Sequence, residues 1–495
     1  MRTIGIFYEF LLECRKGKGC QSKMKILFIT AGIVPVRGVS NSYQEALMEA
    51  IAARGHEVAC LCTVGVKLRP GVSWVCEQQQ PYRRYTVFNG GVYPAFYAQG
   101  GVGTRKPLRD VYSHPALRRA ILEVVRREQP GVISIQSLFG LPFDLVDQIR
   151  MKGIPVVFTA HDYFALCPTA HLFLPEEQPC RLPETELVCH KCCADSPSYR
   201  PFWLSYQLDQ LAARFESRPV VRSTIWRIRN ALKRVDGLMP RSKHSRAYSE
   251  RRRKAIKFLK QVDVLHCISE RQAGVIQEIC GPLGNIHVLP LVPPTIEKLT
   301  PVPRLRNENR SVSFLALNVN GPYKGCKLLE KAFKTLASTE AKYELHIYGN
   351  SVPGPEIRSV FYHGRYKSSD LDRIAAHADF CIVPSVWDET LGFVGLEMLA
   401  RGVPLIASAR AGVSDFIRDG QNGFVFDPAS SELLCAAIQK ALDQSCVVQR
   451  NSLLAGYSSL TTFSDHVNEM TNLLGKAASA HDKLPGRGVL QQVCK

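Results

Sequence analysis

From Lys25 to Thr30 the chain is almost wholly apolar. A loop with Pro35 and Gly38 separates that run from Tyr43–Arg54, where apolar residues recur at helical spacing before Gly55. A second apolar run, Glu57–Cys62, follows. This order of strand, loop, helix and strand predicts a parallel sheet, because parallel neighbours need a crossover between them. The alternation returns as helix His114–Glu128, strand Val132–Gln136, helix Leu141–Lys152 and strand Pro155–Ala160. Apolar runs without polar interruption suit strands covered on both faces, so the first half is expected to be an α/β domain.

A second series begins beyond Pro293, Pro294, Pro301 and Pro303, which mark a linker over 293–310. It reads as strand Ser311–Leu317, helix Lys327–Leu336, strand Tyr343–Tyr348, helix Ser369–His377, strand Phe380–Pro384, helix Gly392–Arg401, strand Val403–Ala407 and helix Ser430–Leu442. Two Rossmann-like domains in tandem with a cleft between them are therefore predicted. The first covers 24–292, with a cysteine-rich insert over 162–203 and a basic helical tract over 204–260. The second covers 311–455. A C-terminal helix at 456–476 is expected to pack back on the first domain, followed by a flexible tail at 477–495. Residues 1–23 are basic with one apolar patch, Ile4–Leu12, and no small-residue cleavage site follows it, so they are left out of the fold. Met24 directly precedes the first strand, and the folded part is expected to begin there.

Composition adds a preference for anionic partners. The 495 residues are 45% hydrophobic and 22% charged, which is ordinary for a globular protein, and no run approaches a membrane-spanning length. Lys and Arg number 63 against 44 Asp and Glu, a formal charge of +19. Between Pro201 and Lys260 there are sixteen basic residues against four acidic ones, Asp209, Glu216, Asp236 and Glu250. Nucleotides or an anionic membrane surface fit this excess, at about 1 kcal/mol per basic residue near a lipid surface. Nucleic acid is not expected, because the sequence shows no zinc-finger His pair, RNP-like aromatic strand or KH loop.

The 17 cysteines are odd in number and mostly isolated in apolar segments, which suits reduced thiols and a cytoplasmic location, with peripheral attachment at the inner face of the plasma membrane as a further expectation. Five of them, Cys167, Cys180, Cys189, Cys192 and Cys193, crowd into the insert, which has little apolar material of its own. The Cys189-x2-Cys192 spacing raises one structural zinc on Cys167, Cys180, Cys189 and Cys192, against the alternative of buried thiols.

The stretch Val383–Pro404 carries the most chemistry. A strand ends in Pro384-Ser385, a loop holds Glu389, a helix is expected to start near Gly392, and Glu397 lies eight residues beyond Glu389. A helix start at the carboxyl edge of a parallel sheet presents unpaired N–H groups to phosphate. Carboxylates on either side can accept hydrogen bonds from hydroxyls at the two ends of a nucleotide-sugar, at most about 12 Å apart by helical rise.

In these features, with Gly402-Val-Pro404 behind them, the second half resembles the donor domain of retaining glycosyltransferase family four, which has the GT-B fold. The resemblance implies that Glu389 contacts the transferred sugar, that Glu397 contacts the ribose, and that Gly392, Phe393 and Val394 offer main-chain contacts to the diphosphate. It also makes Lys324, before Gly325, a diphosphate-binding lysine and His161, in Thr159-Ala-His161-Asp162, a contact to the donor sugar. Gly38 stands where the family has a glycine loop, and Gly412 and Asp415 where it has glycines and a glutamate. His161-Asp-Tyr163 and Cys167-Pro168 match an opening that often accompanies such cysteines. The implied reaction moves a sugar from a UDP- or GDP-sugar to a glycan or lipid-linked glycan with retention of configuration. The acceptor attacks from the face the diphosphate leaves, and no cofactor is required for catalysis. One departure matters: the family has an arginine five residues before the lysine, and here that position is Val319, between Asn318 and Asn320. A lysine cannot replace the bidentate fork of an arginine. A non-catalytic GT-B scaffold or binding protein that has lost donor affinity is therefore the alternative.

Overall fold

The computed structural model describes residues 23–31, 39–65, 71–78, 81–88, 113–138, 141–181, 187–192, 246–303, 311–350, 354–444 and 461–482, with a few positions between 208 and 231. Gly38, Cys193, the extension before 23 and most of the basic tract before 246 lie outside the described residues.

The first domain is built on β1 (Lys25–Thr30), β2 (Glu57–Gly65), β3 (Ser73–Gln78), β4 (Arg83–Phe88), β5 (Val132–Ile135), β6 (Val156–Ala160), β7 (Val264–Cys267) and β8 (Ile286–Val288). They form one sheet in the order β3-β4-β2-β1-β5-β6-β7-β8, parallel except for β3 against β4. The crossovers include α1 (Val39–Ala53), α2 (Pro115–Glu128) and α3 (Leu145–Met151). Helix α3 is shorter than the expected 141–152 because Pro142 interrupts the approach, which is made of separate turns at Leu141 and Leu145.

The second domain repeats the plan with β9 (Val312–Leu317), β10 (Tyr343–Tyr348), β11 (Val360–Gly364), β12 (Phe380–Val383), β13 (Leu405–Ser408) and β14 (Gly423–Phe426). Their order is β11-β10-β9-β12-β13-β14, all parallel. Strand order reverses between β1 and β5 in one sheet and between β9 and β12 in the other, so both sheets have a ligand-type crevice at their carboxyl edge.

Three expectations are corrected. The insert is not poor in apolar material: Tyr163, Leu166 and Leu172 are buried in the same core as Ile133 and Phe158. The C-terminal helix runs from Phe463 to Asp482, so residues 477–482 are helix rather than tail, and Ala477 is buried. The start of the linker is structured, with a helical turn at Pro294–Glu297 that buries Ile296, and Val302 N donates to Arg401 O at 3.0 Å. The C-terminal helix returns to the first domain, where Tyr43 Oη and His466 Nε2 are 2.7 Å apart and Arg54 Nε donates to Asn468. One apolar cluster joins Ile26 and Leu47 of the first domain, Val467 and Leu474 of this helix, and Leu396 and Leu399 of the second domain.

Within the basic helical tract, the run Arg251–Lys254 is partly buried. It lies on α4 (Arg246–Gln261), where Arg251 is 1% exposed. Its guanidinium donates to the carbonyls of Ala165 and Phe164 and stacks near the rings of Phe143 and Phe164. A buried cation satisfied by carbonyls and aromatic faces ties the insert to the domain. Arg253, Lys254 and Lys257 remain at the surface, paired with Glu250 or Asp147.

Candidate active site

The loop after β9 is shaped by glycine. Gly325 has φ +80°, and a Cβ there would stand 1.8 Å from the carbonyl oxygen of Pro384. Only glycine lets this loop touch the end of β12, and the contact delivers Lys324 to the segment Pro384–Glu389. Glu389 is held on both oxygens: Lys324 Nζ pairs with Oε1, and the Ser385 hydroxyl donates to Oε2. Its backbone is fixed by Glu389 N donating to Arg410 O at 2.8 Å and by Gly412 N donating to Glu389 O at 2.9 Å. The Lys324 ammonium also lies 5.4 Å from the centroid of the Trp387 ring, which itself packs edge-on against Tyr323 and His171.

Helix α5 (Phe393–Ala400) starts beside this carboxylate, with Gly392 at its N-cap and φ +92°. The first N–H groups of a helix lack intrahelical acceptors, so the start carries a partial positive charge. Glu397 sits on the second turn, half-buried. Burial holds its carboxyl above the usual range despite Arg401, and it takes no hydrogen bond from the described residues. An unpaired carboxylate kept partly out of water is a common mark of a binding site.

His161 follows β6 on the facing sheet. Gln136 spends its amide N–H groups on Ser134 and Thr159, so its oxygen receives the proton of His161 Nε2 at 3.0 Å. The His161 Nδ1 atom is buried with no hydrogen-bond partner among the described residues. Burial, with help from His266, lowers the His161 pKa to about 3. The ring is neutral at physiological pH and Nδ1 is an acceptor awaiting a donor. The relay continues from the Thr159 hydroxyl to His266 Nδ1 and from His266 Nε2 to Leu289 O.

The structure thus brings together Glu389, Lys324 and Gly392, with Phe393, Val394 and Glu397 on the adjoining helix, and joins them to His161 through the Thr390 hydroxyl, which donates to His161 O at 3.1 Å. Gly412 and Asp415 lie on the domain seam. Val319 is 3% exposed in the core of the second domain, so that position offers no charge to the cleft. Sequence reasoning missed Ser385 as the second partner of Glu389, Gln136 as the group that sets the His161 tautomer, and Asp388, which is 0% exposed between Arg181 and Arg271. The signal for Asp388 was an acidic residue beside Glu389 inside an otherwise apolar segment.

The four cysteines converge on one corner. Burial first, and then the thiols of Cys167, Cys189 and Cys180, push the Cys192 thiol up to about 12. Cys167 Sγ is 3.1 Å from the Thr169 hydroxyl, and Cys189 Sγ accepts from Arg252 at 3.4 Å. Among the described residues no three His, Cys, Asp or Glu side chains are arranged to hold a metal ion. Burial likewise holds the Cys189 thiol above its usual range.

Residues 310–444 match the family described as Glycosyl transferases group 1. The chain is 30% identical over 139 residues to a lipopolysaccharide 1,2-N-acetylglucosaminetransferase of Salmonella typhimurium, covering 24% of this chain and 36% of that one. It is 35% identical over 157 residues to a lipopolysaccharide glucosyltransferase of Escherichia coli K12, covering 29% and 41%. The matched part therefore spans well under half the length of these relatives. Among solved structures, sucrose-phosphate synthase from Thermosynechococcus elongatus superposes with a TM-score of 0.57 at 16% identity, over 92% of this chain and all of that one. A lipopolysaccharide outer core galactosyltransferase gives 0.52 at 12% identity, over 91% and 99%. The fold is the expected GT-B arrangement of two Rossmann-like domains. No helix among the described residues is long and apolar enough to cross a membrane.

Proposed function

We propose that this chain is a retaining glycosyltransferase that moves a sugar from a nucleoside-diphosphate-sugar, UDP- or GDP-linked, to a glycan or lipid-linked glycan. The observation that carries the reading is the Glu389 carboxylate, suspended between Lys324 and Ser385 beside a helix start and joined through Thr390 to His161. The group 1 match over the same segment supports it, and the lipopolysaccharide relatives support the acceptor class.

In this reading the diphosphate enters at the start of α5 and competes with Glu389 for Lys324. The released Glu389 then accepts hydrogen bonds from hydroxyls of the transferred sugar. His161 Nδ1 accepts from another hydroxyl, and Glu397 accepts from the ribose. As the glycosidic bond breaks, negative charge grows on the leaving diphosphate, where Lys324 and the helix N-terminus stabilise it. The acceptor hydroxyl attacks from the face the diphosphate leaves and passes its proton to the departing phosphate oxygen, so configuration is kept. The net charge of +19 favours a peripheral position on an anionic membrane, with a cytoplasmic location and a lipid-linked acceptor.

A second reading, a GT-B scaffold without donor affinity, is favoured by Val319, whose burial leaves the phosphate site without the guanidinium fork. Calorimetry over a panel of UDP- and GDP-sugars separates the two. The enzyme reading expects saturable binding of one donor class, weakened in Lys324→Ala. A panel that yields no binding, with no transfer at high donor concentration, establishes the scaffold.

A further inference from the structure

Glu389 belongs to the second domain, yet the residues on either side of it are held by the first. Asp388 has no solvent exposure. Its Oδ2 accepts from Arg181 Nη1 at 2.6 Å, and its Oδ1 accepts from Arg271 Nε at 2.9 Å and from Arg271 Nη2. Arg181 comes from the insert and Arg271 from the first turn of helix Glu270–Cys280, both parts of the first domain. A carboxylate removed from water needs such partners to stay ionised without a large desolvation cost. Among the described residues no side-chain hydrogen-bond partner of Asp388 comes from its own domain, so its buried position depends on the two domains being docked.

Thr390 repeats the pattern on the other side. Its hydroxyl donates to His161 O, and its carbonyl accepts from the Ser269 hydroxyl at 2.6 Å. Ser269 also caps the Glu270–Cys280 helix, accepting from Gln272 N at 3.0 Å. The seam is close-packed: a Cβ on Gly412 would stand 2.4 Å from Thr390 O and 2.6 Å from Ser269 Oγ. Glu270 N donates to Asp415 Oδ2 at 2.7 Å beside it. Of three consecutive residues, then, the outer two face the first domain and the middle one faces Lys324 and Ser385.

We infer that Asp388 and Thr390 are positioning residues that clamp the Glu389 loop to the first domain, so that the carboxylate reaches its working place only when the cleft is closed. The inference rests on the glycosyltransferase reading for its kinetic consequence, but its structural consequence stands apart from it. Opening the cleft exchanges the Arg181 and Arg271 contacts for water and leaves the loop on its own domain's hydrogen bonds, those to Arg410 and Gly412 among them, which couples closure to the final placement of the carboxylate.

The test uses the full chain and three variants, Asp388→Asn, Arg271→Gln and Thr390→Val, with two readouts. Small-angle scattering reports domain opening without any substrate. Steady-state transfer reports kcat and donor KM separately. Asp388→Asn is expected to enlarge the radius of gyration and to lower kcat on the order of a hundredfold, as a misplacement of about 1 Å does, with donor KM within about threefold. Asp388→Asn combined with Arg271→Gln is expected to cost little more than either alone, because both break one contact. Thr390→Val keeps the shape of the side chain and is the variant that decides if Asp388→Asn fails to fold; it is expected to lower kcat about tenfold by loss of one hydrogen bond. Wild-type scattering together with wild-type kcat in folded Asp388→Asn or Thr390→Val overturns the inference, as does full additivity in the double variant. A wild-type protein that transfers no sugar removes the glycosyltransferase reading while scattering still judges the clamp: enlargement in Asp388→Asn supports it, and an unchanged radius overturns it.

Discussion

Acid should destabilise this protein through its buried histidines before its carboxylates titrate. His266 and His466 are both 0% exposed, with burial lowering their pKa values to about 4 and about 3. The Leu289 carbonyl partly offsets the effect at His266, His287 adds to it, and His266 itself contributes at His466. In the unfolded chain each would titrate near about 6.5. The folded values are depressed, so between the two pKa values the unfolded state binds more protons and stability rises with pH. The contribution is complete above the unfolded pKa and is lost as pH falls toward the folded one. At about pH 5 each histidine forfeits about 1.5 pH units of linkage, or about 2 kcal/mol, giving about 4 kcal/mol for the pair. His161 adds a smaller part, because it keeps some solvent contact. Urea unfolding at about pH 7.5 and about pH 5 measures this, and His466→Gln should remove about half of the difference. A free energy of unfolding that stays level across that range would show that these rings are hydrated or already charged, and would undo the assignment of His161 Nδ1 as a neutral acceptor.

Three further outcomes follow from single contacts. Lys324→Ala should raise donor KM and lower kcat together, on the order of a hundredfold in kcat/KM, while Lys324→Arg recovers part; steady-state kinetics reads both. Gly325→Ala combines a left-handed backbone with a Cβ driven into Pro384 O. It should disrupt the Lys324 loop and abolish donor binding by calorimetry, with circular dichroism reporting whether the fold is kept. Arg251→Met should lower stability by about 3 kcal/mol in urea titrations, because the Ala165 and Phe164 carbonyls lose a charged donor.

The parts of the fold legible in sequence were those whose apolar runs are buried on both faces. Lys25–Thr30, Val132–Ile135 and Phe380–Val383 emerged within a residue or two of expectation because central parallel strands have no polar face to disguise them. The antiparallel strand Ser73–Gln78 and the strands Val360–Gly364 and Gly423–Phe426 lie at sheet edges, where half-exposed positions blur the pattern. Strand Val264–Cys267 was hidden in another way: its run is short, and His266 is a buried polar residue satisfied from two sides. At the candidate site, the neighbourhood of Glu389 and Glu397 was expected from a carboxylate, a loop and a helix start at fixed spacing, and that of Lys324 from the family resemblance. Their supports were not. Ser385, Gln136 and Asp388 act through contacts between chain segments that no local spacing encodes, and the Asp388 contacts cross from one domain to the other.

The most direct measurement is transfer from α-linked UDP- and GDP-sugars to a glycan or lipid-linked acceptor, with the anomeric configuration of the product read by proton NMR, in the wild type and in Glu389→Gln. The account expects one donor class to give an α-linked product, and a fall on the order of a hundredfold or more in kcat for Glu389→Gln with the fold unchanged. A β-linked product, or a Glu389→Gln protein that transfers sugar at the wild-type rate, would contradict it.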